Sequence, residues 1–109
     1  STVSDLVKLT RANLENPLLS QILRTKEITL SSIDGKINHY LKNSNKLLGK
    51  VKGVIGGKTG YTEEAGECII LVVESSSGYL INVILGAENG GRFTEMERLV
   101  NWTKEVYAW

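Results

Sequence analysis

Residues 56–62 are Gly-Gly-Lys-Thr-Gly-Tyr-Thr, and residues 68–73 follow as Cys-Ile-Ile-Leu-Val-Val, the most apolar run of the chain. Lys58 supplies a positive charge and Thr59 a hydroxyl, while Gly60, which has no side chain, lets a ligand or another backbone come close. An unbroken apolar run of this length is typical of a strand buried on both faces. The stretch therefore predicts a site for an anionic group, such as a carboxylate, held against a strand edge.

One interpretation of Lys58 and Thr59 is a phosphate-binding loop, because Gly-Lys-Thr also ends that motif. The motif requires a glycine at position 52, where this chain has Lys52, and Gly53 comes one residue too late. A phosphate loop also opens a helix after the threonine. Here the residues after Gly60 lead into the apolar run, so the sequence disfavours a phosphate site.

The other interpretation is the Lys-Thr-Gly element of the penicillin-recognising serine enzymes. On its own this triplet would indicate only an ordinary exposed turn. Matches on both sides extend the pattern along nearly the whole chain. They are residues 43–48 (NSNKLL), 54–66 (VIGGKTGYTEEAG), 80–86 (LINVILG), Arg92 and 99–102 (LVNW). In this order the set closely resembles the D-alanyl-D-alanine carboxypeptidases, the low-molecular-weight penicillin-binding proteins.

Composition limits the function classes. A chain of 109 residues indicates one domain or part of a larger one, and 41% hydrophobic residues suffice for a core. Thirteen basic and twelve acidic residues nearly cancel, which argues against a nucleic-acid binder that relies on bulk charge. The single cysteine, Cys68, allows no internal disulfide. No signal peptide begins the sequence, and this does not imply a cytosolic location, because Ser1 need not be the natural start.

The first half of the chain alternates helical and strand patterns. Ser4 is a candidate N-cap for an amphipathic helix over residues 4–15, which Asn16-Pro17 ends. Residues 18–23 are predicted to form a brief helical turn. Asp34-Gly35 lies between two runs that contain apolar residues, which is a good hairpin signal, so residues 26–32 and 36–41 are predicted to be paired strands.

In the second half, residues 57–62 are predicted to be extended, 66–74 to form a strand, and 79–85 to form the next strand after a turn at 75–78. Residues 88–91 (ENGG) indicate a flexible break. From Phe93 the pattern is helical and is predicted to lie across the sheet face. The residues predicted on its packed side are Met96, Leu99, Val100, Thr103, Val106 and Tyr107, with Trp102 and Trp109 also packing on this helix.

The resemblance implies an α+β fold, in which a five-stranded antiparallel sheet is flanked by helices and the Lys-Thr-Gly strand lies at one edge. Residues 1–109 would then be the C-terminal part of a transpeptidase-like catalytic domain. This part would supply three sheet strands, and the missing N-terminal part the other two. The strand at 79–85 would have an unpaired edge, which invites pairing with another chain and makes a homo-oligomer a candidate state.

Acyl transfer needs a serine nucleophile and a base, which a Ser-x-x-Lys element supplies in this class of enzymes. No serine of this chain has a lysine three residues later, and no Ser-x-Asn element is present. His39 is the only histidine, and a single strand histidine is usually a surface or packing residue. This chain alone is therefore predicted to be inactive. The sequence also contains no cluster of metal ligands, and neither a metal nor a cofactor is expected.

The resemblance implies roles for five residues. Lys58 would shape the electrostatics near the nucleophile, and the backbone N–H of Tyr61 would be one of two oxyanion-hole donors, worth about 3 kcal/mol of the barrier. Thr59 would hydrogen-bond the terminal carboxylate of the peptide, next to Gly60, and Arg92 would also face that carboxylate. The alternatives are that Lys58 is only a solvated strand-end lysine and that Arg92 pairs with glutamates 95 or 97 of its own helix.

Three functions follow. The first is the substrate-binding portion of a serine D-Ala-D-Ala carboxypeptidase that trims peptidoglycan stem peptides. Its partners would be a stem peptide ending in D-Ala-D-Ala and, for the full-length enzyme, β-lactam antibiotics. Its location would be extracytoplasmic, secreted or membrane-anchored. The second is a non-catalytic module that binds peptide carboxylates, and the third is an inactive truncated folding unit.

Overall fold

A three-stranded antiparallel sheet organises the molecule. The structure is a computed structural model that describes residues 1–107. We number the strands in chain order, so the sheet consists of β3 (Val54–Thr62), β4 (Gly66–Ser75) and β5 (Gly78–Ala87) in the order β3-β4-β5. The strand carrying Lys58, Thr59 and Gly60 therefore lies at one edge, as the family resemblance implied, and it is longer than the predicted 57–62.

The central strand β4 is buried on both faces, which confirms the prediction from its apolar run. Leu71 and Val73 are fully buried on one face, and Val72 is 1% exposed on the other. Strand β4 pairs with β3 through Lys58↔Ile70 and Thr59↔Ile69, so the register places Lys58 and Thr59 on opposite faces of the sheet.

The last helix, α3 (Arg92–Val106), covers the face that carries Ile69, Leu71 and Val73. Met96 and Val100 are fully buried against these side chains, and Thr103 is also buried. The prediction was wrong for Val106 and Tyr107, which lie at the C-terminal end of the helix and are 53% and 63% exposed. Trp102 is half exposed and meets the Tyr107 ring edge to face, while Trp109 lies outside the described residues.

Two helices lie on the opposite face. Helix α1 (Val3–Leu14) follows the predicted range, but its N-cap is Thr2, whose side chain accepts a hydrogen bond from Asp5 N, and not Ser4. The segment predicted as a brief helical turn over residues 18–23 is an eight-residue helix, α2 (Pro17–Arg24). It begins where α1 was predicted to end, because Asn16 caps it and proline fits the first helical position. Helix α1 contacts β5 and α2 contacts β3.

The predicted hairpin forms a separate two-stranded sheet, with β1 (Glu27–Ser31) and β2 (Asn38–Lys42) paired around the Asp34-Gly35 turn. Strand β2 begins two residues later than predicted because residues 32–37 form the turn, in which Asp34 Oδ1 accepts from Ser32 Oγ and Lys36 N. These two hydrogen bonds hold the pKa of Asp34 below its usual value. Within residues 1–107 the hairpin strands contact no other helix or strand, and Ile28, Leu30 and Leu41 are about half exposed.

Candidate active site

The edge strand β3 presents its polar residues to two different sides. Lys58 is exposed, lies on the same face as α1 and α2, and donates from Nζ to the carbonyl of Thr59 at 2.5 Å. Thr59 faces the other way and is 8% exposed. Because β3 has no strand neighbour on its outer side among the described residues, the backbone groups of that edge are open to an extended ligand.

The two glycines before Lys58 allow β3 to pack closely on both faces. A Cβ at Gly56 would lie 3.8 Å from Leu23 Cβ of α2, in ordinary contact. A Cβ at Gly57 would lie 2.6 Å from Asn45 Nδ2 and 2.7 Å from the carbonyl oxygen of Ile70, which no side chain permits. Gly57 is therefore required so that the loop carrying Asn45 can lie against the strand.

That loop brings a serine against Thr59, the residue predicted to bind the carboxylate. Ser44 Oγ lies 2.5 Å from Thr59 Oγ1, a hydrogen bond in which either hydroxyl can donate. Asn43 fixes one side of Ser44 by donating from Nδ2 to the carbonyl of Thr25 at 3.0 Å. Asn45 is 2% exposed and fixes the other side, since its Oδ1 accepts from Leu47 N at 3.1 Å.

Arg92, which the resemblance implied would face the carboxylate, reaches the edge strand β3. Its Nη1 donates to the carbonyl of Gly60 at 3.3 Å, and its guanidinium lies 5.0 Å from the centre of the Phe93 ring. Arg92 does not pair with a glutamate of α3, which was the alternative. Its guanidinium is directed to β3, and Glu97 pairs instead with Lys50 at 2.9 Å. The Arg92 Nε atom is buried without a hydrogen-bond partner.

Glu67 holds the start of α3 in place. Its Oε1 accepts from Gly90 N at 2.9 Å and from Arg92 N at 3.4 Å, and this carboxylate at the N-terminus of a helix is favourable for the helix dipole. The segment 88–91, predicted as a flexible break, is thus a tied turn between β5 and α3. Glu67 therefore positions the backbone from which Arg92 extends toward Gly60.

Gly60 and Tyr61 complete the predicted set on β3. No atom lies within 4 Å of a Cβ placed at Gly60, so space is open there for a ligand. Tyr61 is 60% exposed. The structure thus brings all five predicted residues, Lys58, Thr59, Gly60, Tyr61 and Arg92, to one segment of the edge strand. Within residues 1–107, no three His, Cys, Asp or Glu side chains group as metal ligands would.

A hollow of about 320 Å³ opens on the α1 and α2 face, with Lys58 in its wall. Its other lining is mostly apolar, including Leu9 of α1 and Ile22 of α2. Ile22 also borders a second hollow, of about 420 Å³, that is lined by Ile28 and Leu41 of the hairpin. We call the half-exposed side chains Leu9, Leu19, Ile22, Ile28, Leu30 and Leu41 of these two hollows the open apolar face.

A model of the D-alanyl-D-alanine carboxypeptidase family matches residues 1–89. The chain belongs to this family. A D-alanyl-D-alanine carboxypeptidase of Mycobacterium tuberculosis is 37% identical over 70 residues, which are 64% of this chain and 23% of the relative. A D-alanyl-D-alanine endopeptidase of Pseudomonas aeruginosa is 32% identical over 104 residues, which are 94% of this chain and 34% of that protein.

Solved structures agree with the family assignment. A penicillin-binding protein of Listeria monocytogenes, solved with bound cefotaxime, superimposes with a TM-score of 0.77 and 31% identity over 93% of this chain and 40% of the other. The α+β architecture expected from the resemblance, with antiparallel sheets and flanking helices, is therefore confirmed. This D-alanyl-D-alanine carboxypeptidase family member spans about a quarter to a third of the length of the curated relatives it matches.

Sequence reasoning missed two residues that shape the site. It treated residues 43–45 as a turn and a family match, but the contact of Ser44 with Thr59 joins positions 15 residues apart. It gave no role to Glu67, whose carboxylate accepts a hydrogen bond from Gly90 N, 23 residues later in the chain. The only local signal was the pair of asparagines around Ser44, whose side chains commonly bond nearby backbone in turns.

Proposed function

We propose that this chain is the substrate-binding portion of a serine-type D-Ala-D-Ala carboxypeptidase that trims peptidoglycan stem peptides. The observation that carries the proposal is the edge of β3, where an exposed ammonium (Lys58), a hydroxyl (Thr59) and an uncovered glycine (Gly60) occur together with the guanidinium of Arg92. Cations and hydroxyl donors are the groups that recognise a carboxylate. A peptide ending in D-alanine would lie along this edge with its carboxylate toward Thr59 and Arg92.

The reaction itself would use a serine in a nucleophile-bearing portion that precedes these residues. The serine oxygen attacks the carbonyl carbon of the penultimate D-alanine, the peptide C–N bond breaks, and the terminal D-alanine leaves with a proton on its nitrogen. Water then hydrolyses the ester and restores the serine. During attack the Tyr61 N–H would stabilise the negative oxygen, and the Lys58 ammonium would favour the deprotonated serine.

The open apolar face is the surface on which we place that nucleophile-bearing portion. Its side chains are half exposed although they are large and apolar, which is the usual sign of a surface that another element covers. Lys58 lines the same hollow as Leu9 and Ile22, so a portion seated there would come against the ammonium. The share of the relatives that this chain spans leaves enough additional length for such a portion.

The DNA upstream of the codon for Ser1 tests this proposal directly. A Ser-x-x-Lys element encoded there supports the carboxypeptidase. A start codon immediately before residue 1 contradicts it and supports the second candidate, a non-catalytic module in which Lys58 and Arg92 hold peptide carboxylates. We use the term complete domain for residues 1–109 together with the portion encoded upstream.

We expect penicillin to acylate the complete domain and not residues 1–109 alone, because no serine here has a lysine three residues later. Intact mass spectrometry after incubation with penicillin would show the mass of one penicilloyl group only on the complete domain, and the heat-denatured complete domain serves as the control. A stable adduct on residues 1–109 would mean that the nucleophile is in this part of the chain and would refute the assignment.

The substrate also suggests where the protein acts and what it binds. Peptidoglycan lies outside the cytoplasmic membrane, so we propose an extracytoplasmic location, secreted or membrane-anchored, and β-lactams as inhibitors of the complete domain. None of the helices within residues 1–107 has the length and apolar character needed to cross a membrane.

We also expect residues 1–109 alone to self-associate through β5, whose outer edge has no strand neighbour among the described residues. An unpaired edge offers a row of backbone donors and acceptors to a second copy. Size-exclusion chromatography at increasing protein concentration would show a shift to dimer, and Leu85→Lys, which places a charge on this strand, should restore the monomer. A strict monomer at all concentrations would contradict the expectation.

A further inference from the structure

We propose that Ser44 is a positioning residue that presents the Thr59 hydroxyl to the carboxylate of the substrate. The inference rests on the proposed function, because it assumes that Thr59 contacts that carboxylate. Its structural basis is the hydrogen bond of 2.5 Å between Ser44 Oγ and Thr59 Oγ1, at the edge strand that carries the site.

A threonine hydroxyl has one proton to donate and two lone pairs that accept. If the Thr59 hydroxyl donated its proton to Ser44, only its lone pairs would face the substrate. These lone pairs and the negative carboxylate would repel each other. Ser44 has no other hydrogen-bond acceptor for its hydroxyl within residues 1–107, so its proton is available for Thr59. With Ser44 as donor, the Thr59 proton is directed outward, and the two hydroxyls form a chain in which each bond strengthens the next.

The position of Ser44 is fixed from both sides, which a positioning role requires. Asn43 Oδ1 accepts from Asn45 N at 2.9 Å, so the backbone on either side of Ser44 is tied into one turn. Asn43 N also donates to the carbonyl of Lys26 at 2.8 Å, which anchors this turn to the base of the hairpin. Because Thr59 is β-branched, its χ1 angle has few alternatives, and the Ser44 contact selects among them.

Kinetics of the complete domain on an acyl-D-Ala-D-Ala peptide and on the same peptide with a C-terminal amide test this inference. We expect Ser44→Ala to raise KM about 5- to 10-fold for the free carboxylate, the effect of one lost hydrogen bond between uncharged groups, while kcat falls less and the amide is unaffected. Ser44→Thr, which keeps the hydroxyl, should restore the preference for the carboxylate. Ser44 is exposed and loses one hydrogen bond, so Ser44→Ala should lower the urea midpoint only slightly.

Thr59→Val separates this inference from the proposed function. If Thr59→Val abolishes the preference for the free carboxylate but Ser44→Ala leaves it intact, Ser44 has no positioning role and the proposed function stands. If Thr59→Val leaves the preference intact, Thr59 does not read the carboxylate, and both ideas fail. An equal loss for acid and amide peptides in Ser44→Ala would show a merely structural role and overturn the inference.

Discussion

Replacing Lys58 by alanine in the complete domain should slow acylation by penicillin by a factor of about 10²–10³, the range found when one preorganised transition-state donor is removed. The ammonium is the charge of β3 that faces the hollow in which we place the nucleophile. Its one hydrogen bond is to the carbonyl of the next residue, Thr59, so it is not committed to holding the fold together. Intact mass spectrometry over time gives the acylation rate constant.

The control for this variant is Lys52→Ala, which removes an exposed lysine from the loop before β3. Its acylation rate should equal that of the unchanged domain, because a solvated charge outside the site is screened. Urea midpoints of both variants should match the parent, which excludes unfolding as the cause. Equal rates for Lys58→Ala and the parent would show that residue 58 is only a solvated strand-end lysine.

Replacing Gly57 by alanine should destabilise residues 1–109 by about 3 kcal/mol, the upper range for forcing atoms into a packed interior. The added Cβ would lie 2.7 Å from the carbonyl oxygen of Ile70, a backbone atom of the central strand, and 2.6 Å from Asn45 Nδ2. Neither can move away easily, since Ile70 is held in β4 between two strands and Asn45 is buried. Urea denaturation followed by circular dichroism measures the change.

Gly60→Ala is the matched control, three residues along the same strand. No atom lies within 4 Å of its new Cβ, so the free energy of unfolding should change by no more than about 0.5 kcal/mol. In the complete domain the same methyl group would occupy the space proposed for the peptide, and turnover should fall. If both glycine variants lost equal stability, the close contact at Gly57 would not be what decides the sequence there.

The sheet was predictable because its signals are local. The apolar run of β4 and the turn residues on both sides define three strands and their order along the chain. The length of helix α2 was underestimated because Pro17 can both end one helix and begin another, and which of the two applies depends on the Asn16 side chain. The exposure of Val106 and Tyr107 at the end of α3 depends on tertiary packing, which helical periodicity alone does not predict.

The site was predictable in its strand and only in part elsewhere. Lys58, Thr59 and Gly60 are adjacent in sequence, so one motif was enough to select them as candidates. The hydrogen bond of Arg92 to Gly60 joins positions 32 residues apart, and no local pattern predicted it; the family resemblance only proposed that Arg92 faces the carboxylate. The contacts of Ser44 and Glu67 were not predicted. They depend on how loops fold back on the sheet, which is a feature of the tertiary structure and not of the local sequence.

The opposite orientations of Lys58 and Thr59 on one edge strand have a consequence for how this family can diversify. The surroundings of the ammonium come from the helical layer of α1 and α2, whereas those of the hydroxyl come from the loop at residues 43–47. Changes in separate surroundings tend to act independently. Under the proposed function, reactivity and leaving-residue selectivity would therefore be adjusted by two largely separate sets of substitutions, while the strand between them stays the same.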